Sequence, residues 1–169
     1  KLGIKEKQQL VKISNLKQQL ATMTDNKDST NKYEAEAKKY QTEINQMHDE
    51  IDNLRLLCEY VLQPVREHFG KPVSINSGFR SSELNKAIGG SGTSDHCKGM
   101  AADIEIAGVD NADIAQWIKD NCEFRQLILE FYTPGVGDSG WVHVSYNADD
   151  NTKKVMTAMK ENGRTVYKL

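Results

Sequence analysis

The sequence holds few cysteines. Cys58, Cys97 and Cys122 make an odd count of three, with no C-x-x-C spacing. That argues against a disulfide-built scaffold and favours a reducing compartment. It also lacks any apolar run approaching about 18–20 residues, so no membrane span is expected. Residues 1–15 carry charge but no apolar stretch, so no secretory leader is expected there. Positive charge is not in excess. The 22 Lys and Arg face 24 Asp and Glu, a net charge of -2. Nucleic-acid binding wants a basic face or tail, and is not expected. What remains, at 169 residues and 38% hydrophobic, is enough for one ordinary domain with an appendage.

Two textures divide the chain. Residues 1–47 carry nine Lys against six acids, and the remainder carries the acidic excess. The first fifty residues contain one Gly, no Pro and no Trp, whereas residues 70–140 hold ten of the twelve Gly. We expect a helical extension over 1–49 and a compact domain over 50–169.

The extension has a readable period. Tyr33, Ala37, Tyr40, Ile44, Met47, Ile51, Leu54, Cys58, Val61 and Val65 recur at 4-3-4-3 spacing. Such a narrow stripe packs against a single neighbour. Leu10, Ile13, Leu16, Leu20 and Met23 make a shorter stripe before it. Residues 24–30 between them (TDNKDST) have turn chemistry, and Asn31 with Glu34 reads as a capping box. The favoured expectation is an antiparallel helical hairpin; the alternative is a coiled coil that self-associates.

In the compact domain, helices are expected over 53–68, 81–88, 111–121 and 151–161. Short strands are expected over 73–77, 101–106, 126–131 and 141–146. This irregular mixture predicts an α+β fold with a small antiparallel sheet flanked by helices.

Four histidines are candidates for chemistry. His48 falls on the polar side of its helix and reads as a solvated surface residue. His68, at a helix C-terminus, suits the helix dipole. His96 sits in a Gly- and Ser-rich segment, and Asp103 follows in the apolar run Ala-Ala-Asp-Ile. A carboxylate buried there needs a partner. In Trp-Val-His-Val-Ser, strand alternation puts Trp141, His143 and Ser145 on one face. Two imidazoles and a carboxylate are usual ligands of an open zinc site. A histidine in an apolar strand is as readily a core residue bonded to its neighbours, and spacing alone does not separate the two.

The longer string decides between them. Ser77-Gly-Phe-Arg80-Ser is followed by Leu84-Asn85-Lys-Ala-Ile-Gly-Gly. Then come Ser94-x-His96-x-x-Gly99-x-Ala-x-Asp103-Ile104 and Trp141-Val-His143-Val-Ser. Over about residues 50–165 this resembles the zinc D-Ala-D-Ala carboxypeptidase and L-alanyl-D-glutamate endopeptidase family, which acts on bacterial cell-wall peptides and includes many phage members. The His-x6-Asp block is its specific part. The resemblance implies His96, Asp103 and His143 as ligands of a Zn2+ cofactor. It implies a peptidoglycan stem peptide as substrate, with Arg80 binding it and stabilising the oxyanion. Ser94 would bond the substrate or orient a ligand, and Trp141 would line the cleft. Cys97 adjoins a ligand but reads as a small packed residue.

The family's general base is commonly a carboxylate three residues before the last histidine. Here that position is Gly140. Glu130, at the end of Gln-Leu-Ile-Leu-Glu, is the favoured substitute, and Asp138 in the following turn is the runner-up. The implied protein is a phage endolysin or virion-associated lysin, found in the host cytoplasm or the virion. Residues 1–49 would then serve self-association or virion attachment. The competing readings are a non-catalytic metal-binding or structural virion component and a bacterial D-Ala-D-Ala carboxypeptidase.

Overall fold

The computed structural model describes residues 4–24 and 30–169, with side chains placed at 7–23 and from 33 onward. The chain divides into two compact units, Lys1–Ile51 and Asp52–Leu169. No helix among the described residues is long and apolar enough to cross a membrane.

The first unit contains α1 (Ile4–Thr24) and most of α2 (Thr30–Leu57). The two apolar stripes find each other. Ile13 and Leu16 of α1 bury with Ile44 and Ile51 of α2, and Leu10, Tyr40 and Met47 pack around them. Gln9 Nε2 donates to the Glu50 carboxylate at 3.2 Å. Of the expected turn at 24–30, residues 25–29 lie outside the described residues, while Thr24 and Thr30 belong to the helices and Asn31, expected in a capping box, lies within α2.

The single expected helix over 53–68 is broken. After α2, residues Cys58–Leu62 form a π-helical turn, and α3 (Gln63–Phe69) follows. At the wider turn the stripe changes at one position. Leu57, Val61 and Val65 are buried, whereas Cys58, expected on the stripe, is exposed. Gly70 closes α3 in the left-handed conformation (φ 61°).

The rest of the second unit is built on one sheet. Its strands are β1 (Ser74–Ser77), β2 (Ala101–Glu105), β3 (Gln126–Glu130), β4 (Trp141–Ser145), β5 (Lys154–Glu161) and β6 (Arg164–Lys168). Their order is β1-β2-β4-β3-β5-β6, with every pairing antiparallel except β3 with β5. The fold is therefore mixed α/β on a six-stranded mixed sheet, which corrects the small antiparallel sheet expected.

The error came from the C-terminus. Residues 151–161 were expected to be helical, but β5 alternates, with Met156 and Ala158 buried and Lys154 and Thr157 exposed. Asn162 (φ 51°) and Gly163 (φ 78°) then turn the chain into β6. Asn-Gly is the dipeptide that a two-residue hairpin turn prefers, because both positions need positive φ. That local signal outweighs the helical spacing.

One sheet face is apolar. Ala102, Ile104, Leu127, Val142 and Val144 bury against Val61, Val65, Ile114, Ile118 and Phe124. Helix α5 (Asn111–Asn121) packs on β3 and β4 from this side. Its N-cap, Asp110, accepts from the Ala112 amide at 2.8 Å. The opposite face carries the polar residues. There α4 (Ser82–Ala87) and a 3-10 turn (Asp95–Lys98) precede β2 in the chain.

Candidate active site

Strand register assembles the polar face. Asp103 on β2 lies directly opposite His143 on β4, and His143 lies opposite Ile128 on β3. Ser77 on β1 lies opposite Asp103 from the other side. One row further along, Trp141 pairs with Glu130. Alternation places all these side chains on the same face.

His96 arrives from the 3-10 turn. Gly99 ends that turn in the left-handed conformation (φ 72°), and the Met100 amide bonds back to the Asp95 carbonyl at 3.0 Å. The sharp reversal delivers the chain into β2, with His96 folded over Asp103. The loop at 78–80 grips this histidine twice. His96 Nδ1–H donates to the Gly78 carbonyl at 2.8 Å, and the Arg80 amide donates to the His96 carbonyl at 3.1 Å.

The first of those bonds fixes the chemistry. A carbonyl only accepts, so Nδ1 holds the proton of a neutral His96 and Nε2 presents a lone pair. That Nε2 lies 3.2 Å from Asp103 Oδ1 and 3.2 Å from His143 Nδ1. His143 Nδ1 is in turn 2.8 Å from Asp103 Oδ1. All three side chains are buried, at 2%, 7% and 7% exposure. His96 Nε2 and Asp103 Oδ1 are thus two acceptors in contact out of water, His143 Nδ1 has at most one proton for the pair, and a cation among the three atoms would satisfy them all. Tetrahedral zinc, with bonds of about 2.0–2.2 Å, holds its ligand atoms roughly 3.3 Å apart. Two of the three separations come close to that spacing and the third is shorter, and His96, Asp103 and His143 could together hold a metal.

Arg80 is tied to the same carboxylate. Its guanidinium donates to Asp103 Oδ2 at 2.5 Å and its Nε–H to Ser77 Oγ at 2.7 Å. Three of its five N–H groups remain for other partners. Burial opposes the charge on Asp103, but the two neighbouring imidazoles, His143 first, outweigh it and hold the carboxyl below its usual range.

Glu130 is half-buried at the end of β3 and lines a cavity of about 680 Å³ with the three histidine and aspartate groups. Burial pushes its carboxyl above the ordinary range. Asp103 adds to the rise, while His143, His96 and Arg80 oppose it. Asp138 is exposed in the 131–140 loop and does not line the cavity, so the runner-up is not brought to the ligands. Ser94 and Trp141 line the cavity with Arg80. Cys97, beside the ligand, is half-buried.

The structure explains the missing acid at 140. Gly140 has φ 65°, and a Cβ there would lie 1.9 Å from the Glu130 carbonyl oxygen. No side chain fits against that backbone. The turn is held in this form by α5: Asn111 Nδ2 donates to the carbonyls of Ser139 and Gly140, each at 3.2 Å. The Asn111 amide donates to the Gly137 carbonyl at 2.9 Å. The pinned turn keeps Glu130 and Trp141 in register.

Sequence reasoning missed Asp95 and Arg125. Asp95 is buried beside His96 and receives Arg125 Nη1 at 2.5 Å; Arg125 Nε also reaches Asp150 at 3.3 Å. The pair anchors the turn carrying His96 to the start of β3. A buried acid implies a partner, but no spacing in the chain links positions thirty residues apart.

With this geometry in hand, comparison with known proteins gives a direct answer. The peptidase M15 family model matches residues 16–145. The chain belongs to the peptidase M15 family. Within it, a zinc D-Ala-D-Ala carboxypeptidase of Streptomyces albus G is 34% identical over 84 residues, which cover 49% of this chain and 32% of that protein. The chain thus matches about a third of that relative's length. Zinc is the cofactor of this M15 member, in agreement with the donor set at His96, Asp103 and His143.

Proposed function

We propose that this M15 member is a peptidase hydrolysing an amide bond in peptidoglycan stem peptides, with His96, Asp103 and His143 as the zinc ligands and Glu130 as the general base. The observation that carries this reading is the buried cluster of two imidazoles and a carboxylate with the Glu130 carboxyl on the adjacent strand row. The carboxypeptidase name of the Streptomyces relative supports the substrate class.

When bound, zinc supplies a Lewis acid that polarises the scissile carbonyl and makes water a nucleophile near neutral pH. The remaining work falls to this chain's side chains. Glu130 takes the proton of the attacking water and passes it to the leaving nitrogen. A carboxyl with a raised pKa suits both halves of that transfer. Arg80 turns its remaining N–H groups to the developing oxyanion while its other donors hold Asp103. Gly78 keeps the His96 ring in the ligating tautomer. Ser94 and Trp141 bound the cleft on which the peptide lies.

We assign residues 50–169 to the peptidase domain and residues 1–49 to a helical hairpin outside it. The shared burial of Ile13, Leu16, Ile44 and Ile51 supports the hairpin. A trimer that becomes monomeric on deleting 1–48, seen by light scattering, would instead establish a coiled coil.

The test of function is incubation with purified peptidoglycan, with and without a chelator, followed by mass spectrometry of the peptides. Chelator-sensitive release of new ends is expected. The product mass separates loss of a terminal D-Ala from cleavage between L-Ala and D-Glu. Stoichiometric zinc with no release would overturn the reading.

A further inference from the structure

The β5–β6 hairpin lies beyond the segment matched by the family model, which ends at residue 145. It nevertheless builds one wall of the active-site cavity, through Lys154, Met156 and Tyr167. Tyr167 is the residue whose placement has the most to do with the reaction. The register runs Glu130 to Ala158 to Tyr167 across β3, β5 and β6. The three side chains therefore share the site face in one row. Backbones two strands apart are separated by about 9.6 Å. Ala158 between them is buried and offers only a methyl group, the smallest side chain of the row.

Three further facts concern the phenol itself. Tyr167 is 53% exposed and lines the cavity. Its hydroxyl has no hydrogen-bond partner among the described residues. Burial first, then the charges of Glu130 and Asp103, push its pKa up, so it stays a protonated donor at neutral pH. On the β5–β6 wall of the cavity, beside the Glu130 row, Tyr167 adds a neutral donor to the lining. A stem peptide laid across the ligands presents carbonyl and carboxylate oxygens along its length.

Resting on the peptidase reading above, we propose that Tyr167 is a substrate-binding residue. Its O–H donates to an acceptor oxygen of the peptide residue lying on the Glu130 side of the scissile bond. The C-terminal hairpin is then a specificity element added to the matched family segment.

The experiment is steady-state kinetics of the full zinc-loaded chain on a synthetic stem peptide and its C-terminal amide. Tyr167→Phe removes the hydroxyl alone. Met159→Leu, on the other face of the same hairpin, controls for effects of the hairpin as a whole. Thermal unfolding checks that both variants fold. We expect Tyr167→Phe to raise KM about tenfold, the loss of one well-placed hydrogen bond, with kcat within about twofold. Met159→Leu should change neither. Peptide affinity in the Glu130→Gln background should fall by a similar factor when Tyr167→Phe is added. A loss on both substrates places the bond on a carbonyl; a loss on the free acid alone places it on a carboxylate. An unchanged KM in Tyr167→Phe, with the wild-type chain active, overturns this inference alone. A wild-type chain that cleaves neither peptide nor peptidoglycan overturns the peptidase reading and this inference with it.

Discussion

The two faces of the sheet come from the same strands and differ in almost everything else. Along β4, Val142 and Val144 enter the apolar core, while Trp141 and His143 point to the cavity. Along β3, Leu127 is buried in the core, while Glu130 lies in the row beside the ligands. On one side, burial of hydrocarbon holds the fold together. On the other, burial is imposed on charged and ring-nitrogen groups, and there Asp103 is paired with Arg80 and His96 with the Gly78 carbonyl. A single residue step along a strand thus separates stability from chemistry.

Glu130→Gln should break this comparison most visibly, since it alters function while sparing the fold. We expect kcat to fall by about 10²- to 10⁴-fold with zinc content unchanged by metal analysis. Stability should move the other way. Because burial raises the folded-state pKa, the charged form opposes folding above the ordinary carboxylate range. The chelated variant should therefore melt slightly higher than the chelated wild type at pH 7. The difference should vanish below about pH 4. A lower midpoint at pH 7 would refute that account.

Leu127→Ala is the reverse case, on the apolar face of the same strand as Glu130. Leu127 is 1% exposed, so the cavity left should cost about 2–5 kcal/mol in denaturant unfolding. The folded fraction should keep its kcat. A comparable loss of kcat per folded molecule would mean that the two faces are not separable.

The smallest effect concerns Asp103 in the chelated protein. Its folded pKa is depressed from an ordinary value of 3.8. The stability it contributes is therefore present above that value and lost as pH falls through it. The gap in unfolding free energy between wild type and Asp103→Asn should be full at pH 6 and shrink below about pH 4. A gap independent of pH would show that the histidines do not hold the charge.

The legibility of the sequence follows the same division. Strands β2, β3 and β4 were readable because each alternates or runs apolar between turn residues, and the ligand motif sits on them. The matched motif brought out His96, Asp103 and His143, and the strand end brought out Glu130. What was hidden depends on distant pairing. The partnership of Asp95 with Arg125 leaves no local trace, and nor does the parallel register of β5 on β3. The C-terminal hairpin was misread because Met156 and Ala158 fit either period, and the Asn162-Gly163 turn was given too little weight. The π-turn at 58–62 escaped because a uniform 4-3 spacing assumes an unbroken helix.

Gly140 has one consequence that concerns how such an active site changes over time. A chain with its general base three residues before the last ligand needs a side chain at this position. This chain has filled that space with the carbonyl of Glu130, the residue proposed above as the base. The two arrangements exclude each other sterically, so no single substitution converts one into the other. A lineage crossing between them must rebuild the ten-residue turn and its anchorage on Asn111 together, or pass through a form with no base. The position of the carboxylate is therefore a heritable fork rather than a sliding choice, and Gly140 marks the branch that this chain has taken.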